Sequence, residues 1–434
     1  MNANADCNRL IEHFFRHEYG RLVAALTQRL GLRRIDLAED VAQSALSQAI
    51  KHWSRKGIPD NPGGWLYRVA IRLAIDVLRR ESLQRKSFQN LRQDASLATS
   101  PSSFTESLDQ DTVIDDQLQL LLACCAPELS LTSSIALALK VMCGFSTAEI
   151  AHALLSSESN IQRRVTRAKE TLRGVQLLSD AADISSRIEA ASMVIYLLFN
   201  EGYLSSHNEV SIRRELCVEA KRLATLVSLH PQGNQPYLYA LLALICFHTA
   251  RLDARADATG EVLLLDRQDR ERWDWDEIRE GMDWMQRSAS GTEVTRFHIE
   301  ASIAWEHCRV RSFADTNWPH IRHLYDLLLQ RVSSPAQWLN RAIAEMHCGG
   351  SAAALRWLDR IPAEDRPADY PLWFAVLGYL HFRNNDLAEA ERQWQEALSR
   401  THSRAEQELL RRRIASCKSS GSHRVTSSHD DMRL

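Results

Sequence analysis

Apolar residues recur along this chain at spacings of three and four, and alternating Val, Ile, Thr and Tyr runs are nearly absent. The pattern predicts an all-α protein. Leu10, Phe14, Tyr19, Leu22, Val23, Leu26 and Leu30 form one helical stripe that stops at Gly31. Asp36, with Glu39 three residues on, reads as a capping box at the start of a second helix. Leu37, Val41, Ala45, Ala49 and Trp53 form its apolar face, and it ends near Trp53. Pro59, Pro62, Gly63 and Gly64 break helicity. A third helix begins at Trp65, with Val69, Leu73, Val77 and Leu78 toward the core.

The stretch from Gln84 to Thr112 is rich in Ser, Gln, Asp and Thr and has no sustained apolar period, so it reads as an interdomain tether. Four more helices are expected at Asp115–Cys125, Leu131–Cys143, Thr147–Leu155 and Glu158–Arg173, with Ser146 and Glu149 as a second capping box. From Asp183 to Ser416 helix follows helix. Phe374, Leu377, Gly378, Ala390, Trp394 and Ala397 fit the small/large spacing of a tetratricopeptide repeat, in which small residues let paired helices approach. Trp338, Ala342, Ala354, Leu358 and Ile361 repeat it at an offset of about 36 residues, and Ala220, Ala224, Val227 and Pro231 give a weaker echo. The expected order is a helical domain at 1–82, a flexible linker at 83–112, a second helical domain at 113–180, a repeat-like helical domain at 181–417 and a disordered tail at 418–434.

Length and composition narrow this further. A chain of 434 residues has room for two to four domains. A formal net charge of −2 excludes a globally basic nucleic-acid binder, so any DNA-binding face must be local. The nine cysteines are scattered, form no CxxC and mostly lie in apolar helical patterns, which suits a reducing cytosol. The start carries Asp6 and Glu12 rather than a signal peptide, and the richest apolar run, Leu238 to Phe247, is too short to span a bilayer. A soluble, cytoplasmic protein without a membrane partner is expected.

Candidate chemistry concentrates in three helices. In the helix-turn-helix pattern from Phe145 to Leu172, Ile161, Val165, Ala168 and Leu172 share the inward face. Ser159, Arg163, Thr166 and Arg167 lie opposite, flanked by Asn160 and Gln162, where long donors reach base edges in a major groove. Arg164 and Lys169 suit phosphate contacts. The helix behind the Gly/Pro loop carries Arg68, Arg72, Arg79 and Arg80, which suit a single-strand backbone, although Asp76 is placed to pair with Arg79 or Arg80. Trp65 is either a stacking face for a base or the first core residue of its helix, and the second fits the residue better. Asp36, Glu39, Asp40, Gln43 and Ser47 point outward from the acidic helix. From the residues alone that face reads as solvated surface with favourable charge at a helix N-terminus.

Catalysis finds little support. Asp266, Asp269, Arg270, Arg272, Asp274, Asp276 and Glu277 cluster with Trp273 and Trp275, but no nucleophile elbow, phosphate loop or metal-ligand spacing orders them. His298, His307, His320 and His323 show no metal-ligand pattern. No cofactor and no metal are expected.

The cassette DLAEDVAQSAL…W…P…GGWLYRVAIRLAIDVLRR resembles the core-binding and minus-ten-recognition region of bacterial sigma factors of the extracytoplasmic-function family. TAEIAHALLSSESNIQRRVTRAKETL resembles their minus-thirty-five-recognition region; together these cover about the first 40 per cent of the chain. Tyr196–Ser206, Leu263–Gly281 and Thr316–Leu329 resemble the helical extension of one subgroup with a tetratricopeptide-like C-terminal domain. The resemblance implies a non-enzymatic initiation factor whose partners are promoter DNA and core RNA polymerase, through its β′ and β subunits. Asp36, Glu39, Asp40 and Gln43 would face the β′ clamp helices, and Gln162, Arg163, Thr166 and Arg167 the upstream promoter element. Apart from the resemblance, the repeat-like surface and the lack of a separate inhibitor signature lead to the expectation that the extension regulates activity, by covering or releasing the DNA-binding domains or by supporting the polymerase complex, with an intramolecular or protein partner. Arg72 stands where many relatives carry Asn, which implies a different downstream-element preference. A helix-turn-helix regulator with a repeat-type sensor, or a scaffold built on the repeats, remains the alternative.

Overall fold

The computed structural model describes residues 3–89, 110–154, 156–174, 181–203, 210–255, 263, 265–401 and 404–420. Among them every regular element is helical. The expected linker and tail lie largely outside the described residues. The chain divides into two compact units, one of residues 1–205 and 211–235 and one of residues 206–210 and 236–434.

The first unit begins with α1 (Ala3–Leu30), α2 (Ile35–Lys56) and α3 (Pro62–Gln89). Gly31 ends α1 at φ +80°, a left-handed conformation that costs glycine little. The first capping box does not form. A single 3₁₀ turn, Leu32–Arg34, leads straight into α2, whose N-cap is Arg34 without a side-chain cap bond. Asp36 therefore sits inside the first turn, where its negative charge still favours the helix. Val41, Ala45 and Ala49 are buried as expected, joined by Ile35, Ala38 and Ala42.

Then come α4 (Gln110–Cys124), α5 (Leu131–Val141), α6 (Thr147–Ala153) and α7 (Glu158–Leu172). The second capping box is present: Glu149 N donates to Ser146 Oγ (3.2 Å) and Ser146 N to Glu149 Oε2 (2.7 Å). Two further helices, α8 (Ala181–Tyr203) and α9 (Val210–Ser228), belong with this unit. The compact division thus falls near residue 235, not at the expected 180/181 boundary. The cause is apolar: Ile188, Ala191, Val194, Ile195 and Leu198 on α8 are buried, and the helix packs on α4 and α5.

The second unit contains α10 (Pro236–Thr249), α11 (Trp275–Ser288), α12 (Arg296–Cys308) and α13 (Trp318–Leu329). Every residue of α10 from Leu238 to Phe247 is buried, which is why its sequence is apolar all round. Next are α14 (Pro335–Gly349), α15 (Ser351–Leu358), α16 (Pro371–Arg383), α17 (Leu387–Arg400) and α18 (Arg404–Ser420). Ala342, Ala354, Leu358, Ile361, Ala390, Trp394 and Ala397 share one core, with Trp338, Phe374 and Leu377 packed at its edge. The weaker echo at Ala220, Ala224 and Val227 is also buried, but on α9 in the first unit.

Cys124, Cys125, Cys143, Cys217, Cys246, Cys308, Cys348 and Cys417 are free thiols. Among the described residues no helix is long and apolar enough to cross a membrane.

Candidate promoter and polymerase interface

Helix α7 starts at a built cap, Ser157, whose hydroxyl accepts from Asn160 N (3.3 Å). Its inward stripe is Ile161, Val165, Ala168 and Leu172, all buried against α5 and α6. Ser159, Asn160, Gln162, Arg163, Thr166 and Arg167 are exposed on the other side, and Arg164 is half-buried. Gln162 Oε1 accepts from Thr147 Oγ1 (3.2 Å), which ties the outward face of α7 to the first helix of the motif. The result is a rigid polar ridge of the width a major groove admits.

On α3, Arg68, Arg72, Arg79 and Arg80 are all exposed. No ion pair joins Asp76 to Arg79 or Arg80 among the described residues, so these cations remain available. Asn61 Oδ1 accepts from Gly64 N (2.8 Å) and shapes the loop that enters the helix. Trp65 is half-buried, stacked on His52 (centroids 5.3 Å) and edge-on to Trp53 (5.6 Å). One face of its indole is thus committed to the protein.

The acidic helix is less open than its sequence predicts. Asp40, Gln43 and Ser47 are exposed, but Glu39 is 4% exposed. Glu39 Oε1 accepts from Tyr19 Oη (3.1 Å), and its other oxygen pairs with Lys169 of α7. Lys169 Nζ also reaches Asp36 Oδ1 (2.9 Å), and Arg173 Nη2 reaches Asp36 Oδ2 (2.6 Å). Lys169, expected at phosphate, is turned instead onto the acidic helix. Burial raises the Asp36 carboxyl, but the bonds from Lys169 and Arg173 outweigh it and hold the group below its usual range. Burial works against the Lys169 ammonium too, and is outweighed by Glu39 and Asp36, which raise it. The Tyr19 phenol is pushed far up by burial and then by the Glu39 charge. Nothing in the sequence marks Tyr19, one of the α1 stripe, or Arg173, at the end of α7, as a partner of α2; both meet it through tertiary structure alone.

The charged cluster of the second unit is structural. Asp274 caps α11 by accepting from Asp276 N and Glu277 N (3.0 Å each). Arg270 is buried and donates to the carbonyls of His307 (2.6 Å) and Val310 (2.7 Å). His298 completes the α12 cap with Thr295, and His320 pairs with Glu306 (2.9 Å). Among the described residues, potential metal-ligand atoms converge only at Cys246, Glu277 and Glu280, within 4.8 Å of one another. Glu280 there already accepts from Trp284 Nε1 (3.2 Å).

Comparison with known proteins agrees with this layout. Residues 15–84 match the sigma-70 region 2 family, and residues 119–172 match sigma-70 region 4. The chain is 33% identical over 402 residues to an uncharacterized protein of Rhizobium meliloti (strain 1021), spanning 91% of this chain and 94% of the relative. The chain belongs to the sigma-70 family, as an extracytoplasmic-function-like sigma factor with an added C-terminal domain. Residues 187–289 of the sigma factor match a family of unknown function, DUF6596, which covers α8 through α11. No solved structure matches this chain. Region 2 comprises the end of α1 with α2 and α3, and region 4 runs from α4 through α7. As a sigma factor it is a non-enzymatic transcription initiation factor that binds core RNA polymerase and promoter DNA.

Proposed function

We propose that this sigma factor directs core RNA polymerase to a defined set of promoters and nucleates strand opening there, and that its helical extension regulates that activity. The outward face of α7 carries the reading: a doubly capped helix-turn-helix presents Ser159, Gln162, Arg163, Thr166 and Arg167 from a fully buried inner stripe. These residues read the upstream element, with Asn160 and Arg164 at the flanking backbone and Lys169 reaching it only when released from Asp36 and Glu39. Arg68, Arg72, Arg79 and Arg80 track the single strand of the downstream element, with the free side of Trp65 beside them. Asp40, Gln43 and Ser47, joined by Asp36 and Glu39, dock the β′ subunit. Flipping a base costs a few kcal/mol, which docking and phosphate neutralisation offset.

The extension supplies paired helices of the tetratricopeptide kind, whose surfaces suit peptide segments. A cavity of about 230 Å³ among α15, α16 and α17 is lined by apolar Leu355, Trp373 and Leu377 and by charged Asp359, Glu389 and Arg392.

Reconstituted transcription with core enzyme on genomic fragments tests the reading. Promoter-specific transcripts that vanish with Arg163→Ala/Arg167→Ala support it. Duplex binding without polymerase association would instead make the protein a conventional regulator. A chain ending after Gln235, the edge of the first compact unit, should transcribe at a changed rate; an unchanged rate removes the regulatory role.

A further inference from the structure

The pairing of Lys169 and Arg173 with Asp36 and Glu39 joins two parts of the chain that must act on different targets. Asp36 and Glu39 lie on the helix assigned to polymerase docking, and any competition for this face rests on that docking role. Lys169 and Arg173 lie at the C-terminal end of α7, where the helix dipole also favours cations. The side chains of Lys169 and Glu39 are 13% and 5% exposed, so this is no loose surface pair.

Backbone packing reinforces it. Gly20 of α1 faces the carbonyl of Met142 just after α5, and a Cβ placed there would lie 2.1 Å from that oxygen. Gly144, at φ +70°, lies against the ring of Tyr19, 3.0 Å from a built Cβ. Tyr19 is the residue whose hydroxyl holds Glu39. Arg29 of α1 meets Asp116 of α4 at 3.6 Å, both largely buried. One contiguous surface therefore runs from the close approach at Gly20, through Tyr19, to the ion pairs at Asp36 and Glu39.

We infer that this is a closed form of the sigma factor, in which Lys169 and Arg173 of region 4 occupy the carboxylates of region 2 that polymerase docking requires. A basic partner surface must displace those two cations before it can reach Glu39. The closed population then lowers apparent affinity by the fraction of molecules that are open. Opening would also free Lys169 for phosphate, so docking and readiness for DNA are coupled in one movement.

The test uses the full chain and core polymerase without DNA, because Lys169 is also assigned to DNA. Lys169→Ala/Arg173→Ala should bind core polymerase about 3- to 30-fold more tightly than the parent, through a larger open fraction. Its radius of gyration in solution should rise. Gly20→Ala provides an independent wedge: Ala suits a helix interior better than Gly, so α1 keeps its helix while the added methyl collides with Met142. It should also tighten polymerase binding. If the double variant folds and binds no more tightly than the parent, the closed form has no role and the inference is overturned. If the double variant does not fold, Gly20→Ala decides in the same way. The docking assignment is checked separately by Asp36→Asn/Glu39→Gln. Made in the Lys169→Ala/Arg173→Ala background, where the contact is already released, these changes should weaken binding; unchanged polymerase affinity there would sink that assignment while leaving the closed conformation in place.

Discussion

The imidazole of His347 lies stacked on the indole of Trp318, with centroids 3.9 Å apart and planes 13° from parallel. His307 meets the same indole edge-on at 5.5 Å. Burial first, then nearby arginines, hold both histidines neutral: His307 is pushed down to about 3 and His347 to about 4.

Acid should therefore loosen the second unit before the first. The unfolded chain takes up protons near the ordinary His value of ~6.5, and the folded one refuses them, so stability falls as pH drops below that value. The loss should be on the order of 1–2 kcal/mol for each histidine by pH 5. Thermal unfolding at pH 7 and pH 5 measures it. His347→Phe should keep the stack and reduce the acid sensitivity; an unaltered pH response would show that His347 does not titrate on unfolding.

A methyl group at Gly378 would collide with Trp394. A Cβ built there lies 2.4 Å from the indole Cδ1, while the indole Nε1 donates to Ala375 O at 3.1 Å and fixes the ring. Trp394 is 1% exposed and has no room to retreat. Gly378→Ala should cost about 1–3 kcal/mol of overpacking, despite the better helix propensity of Ala. Chemical denaturation followed by tryptophan fluorescence reads the change.

Arg163→Ala should weaken specific promoter complexes by about 1–3 kcal/mol if it makes a bidentate base contact, with the loss confined to one base pair of the upstream element. Arg164→Ala should instead weaken binding to all sequences and flatten the salt dependence by about one unit of slope. Binding isotherms on mutated promoters at several salt concentrations separate the two.

The ion pairs around Lys169 set their own pH window. The Asp36 value is depressed, so its contribution is present above its unfolded value and fades as pH falls through the folded one, below ~3.9. The Lys169 value is raised, so its contribution is full below its unfolded value and fades as pH rises through the folded one, above ~10.4. Tyr19, Glu39 and Arg173 face the same cluster. The radius of gyration should thus stay flat between about pH 5 and 9. An expansion inside that window would mean that groups outside this cluster control the contact.

Periodicity made most of the architecture readable. The inner stripe of α7, the cap at Ser146 and the small/large core of α14 to α17 all follow from local spacing. Local spacing fell short where tertiary contacts decide. Glu39 has the spacing of a capping-box residue, but a tyrosine twenty positions earlier and a lysine on another helix draw it inward. The boundary near residue 235 was equally hidden, because it is set by tertiary packing, including that of α8 on α4 and α5, which local spacing does not show. Arg270 looked like part of a charged surface turn, yet it is an interior brace for two carbonyls.

The buried residues of α7 are Ile161, Val165, Ala168 and Leu172, and Lys169 is held on α2; most of the remaining positions face outward and carry little packing. On the reading proposed above, substitutions on that outer side alter the recognised sequence with little penalty in folding free energy. A lineage carrying this helix can therefore acquire new target genes one side chain at a time, without first having to rebuild the scaffold beneath.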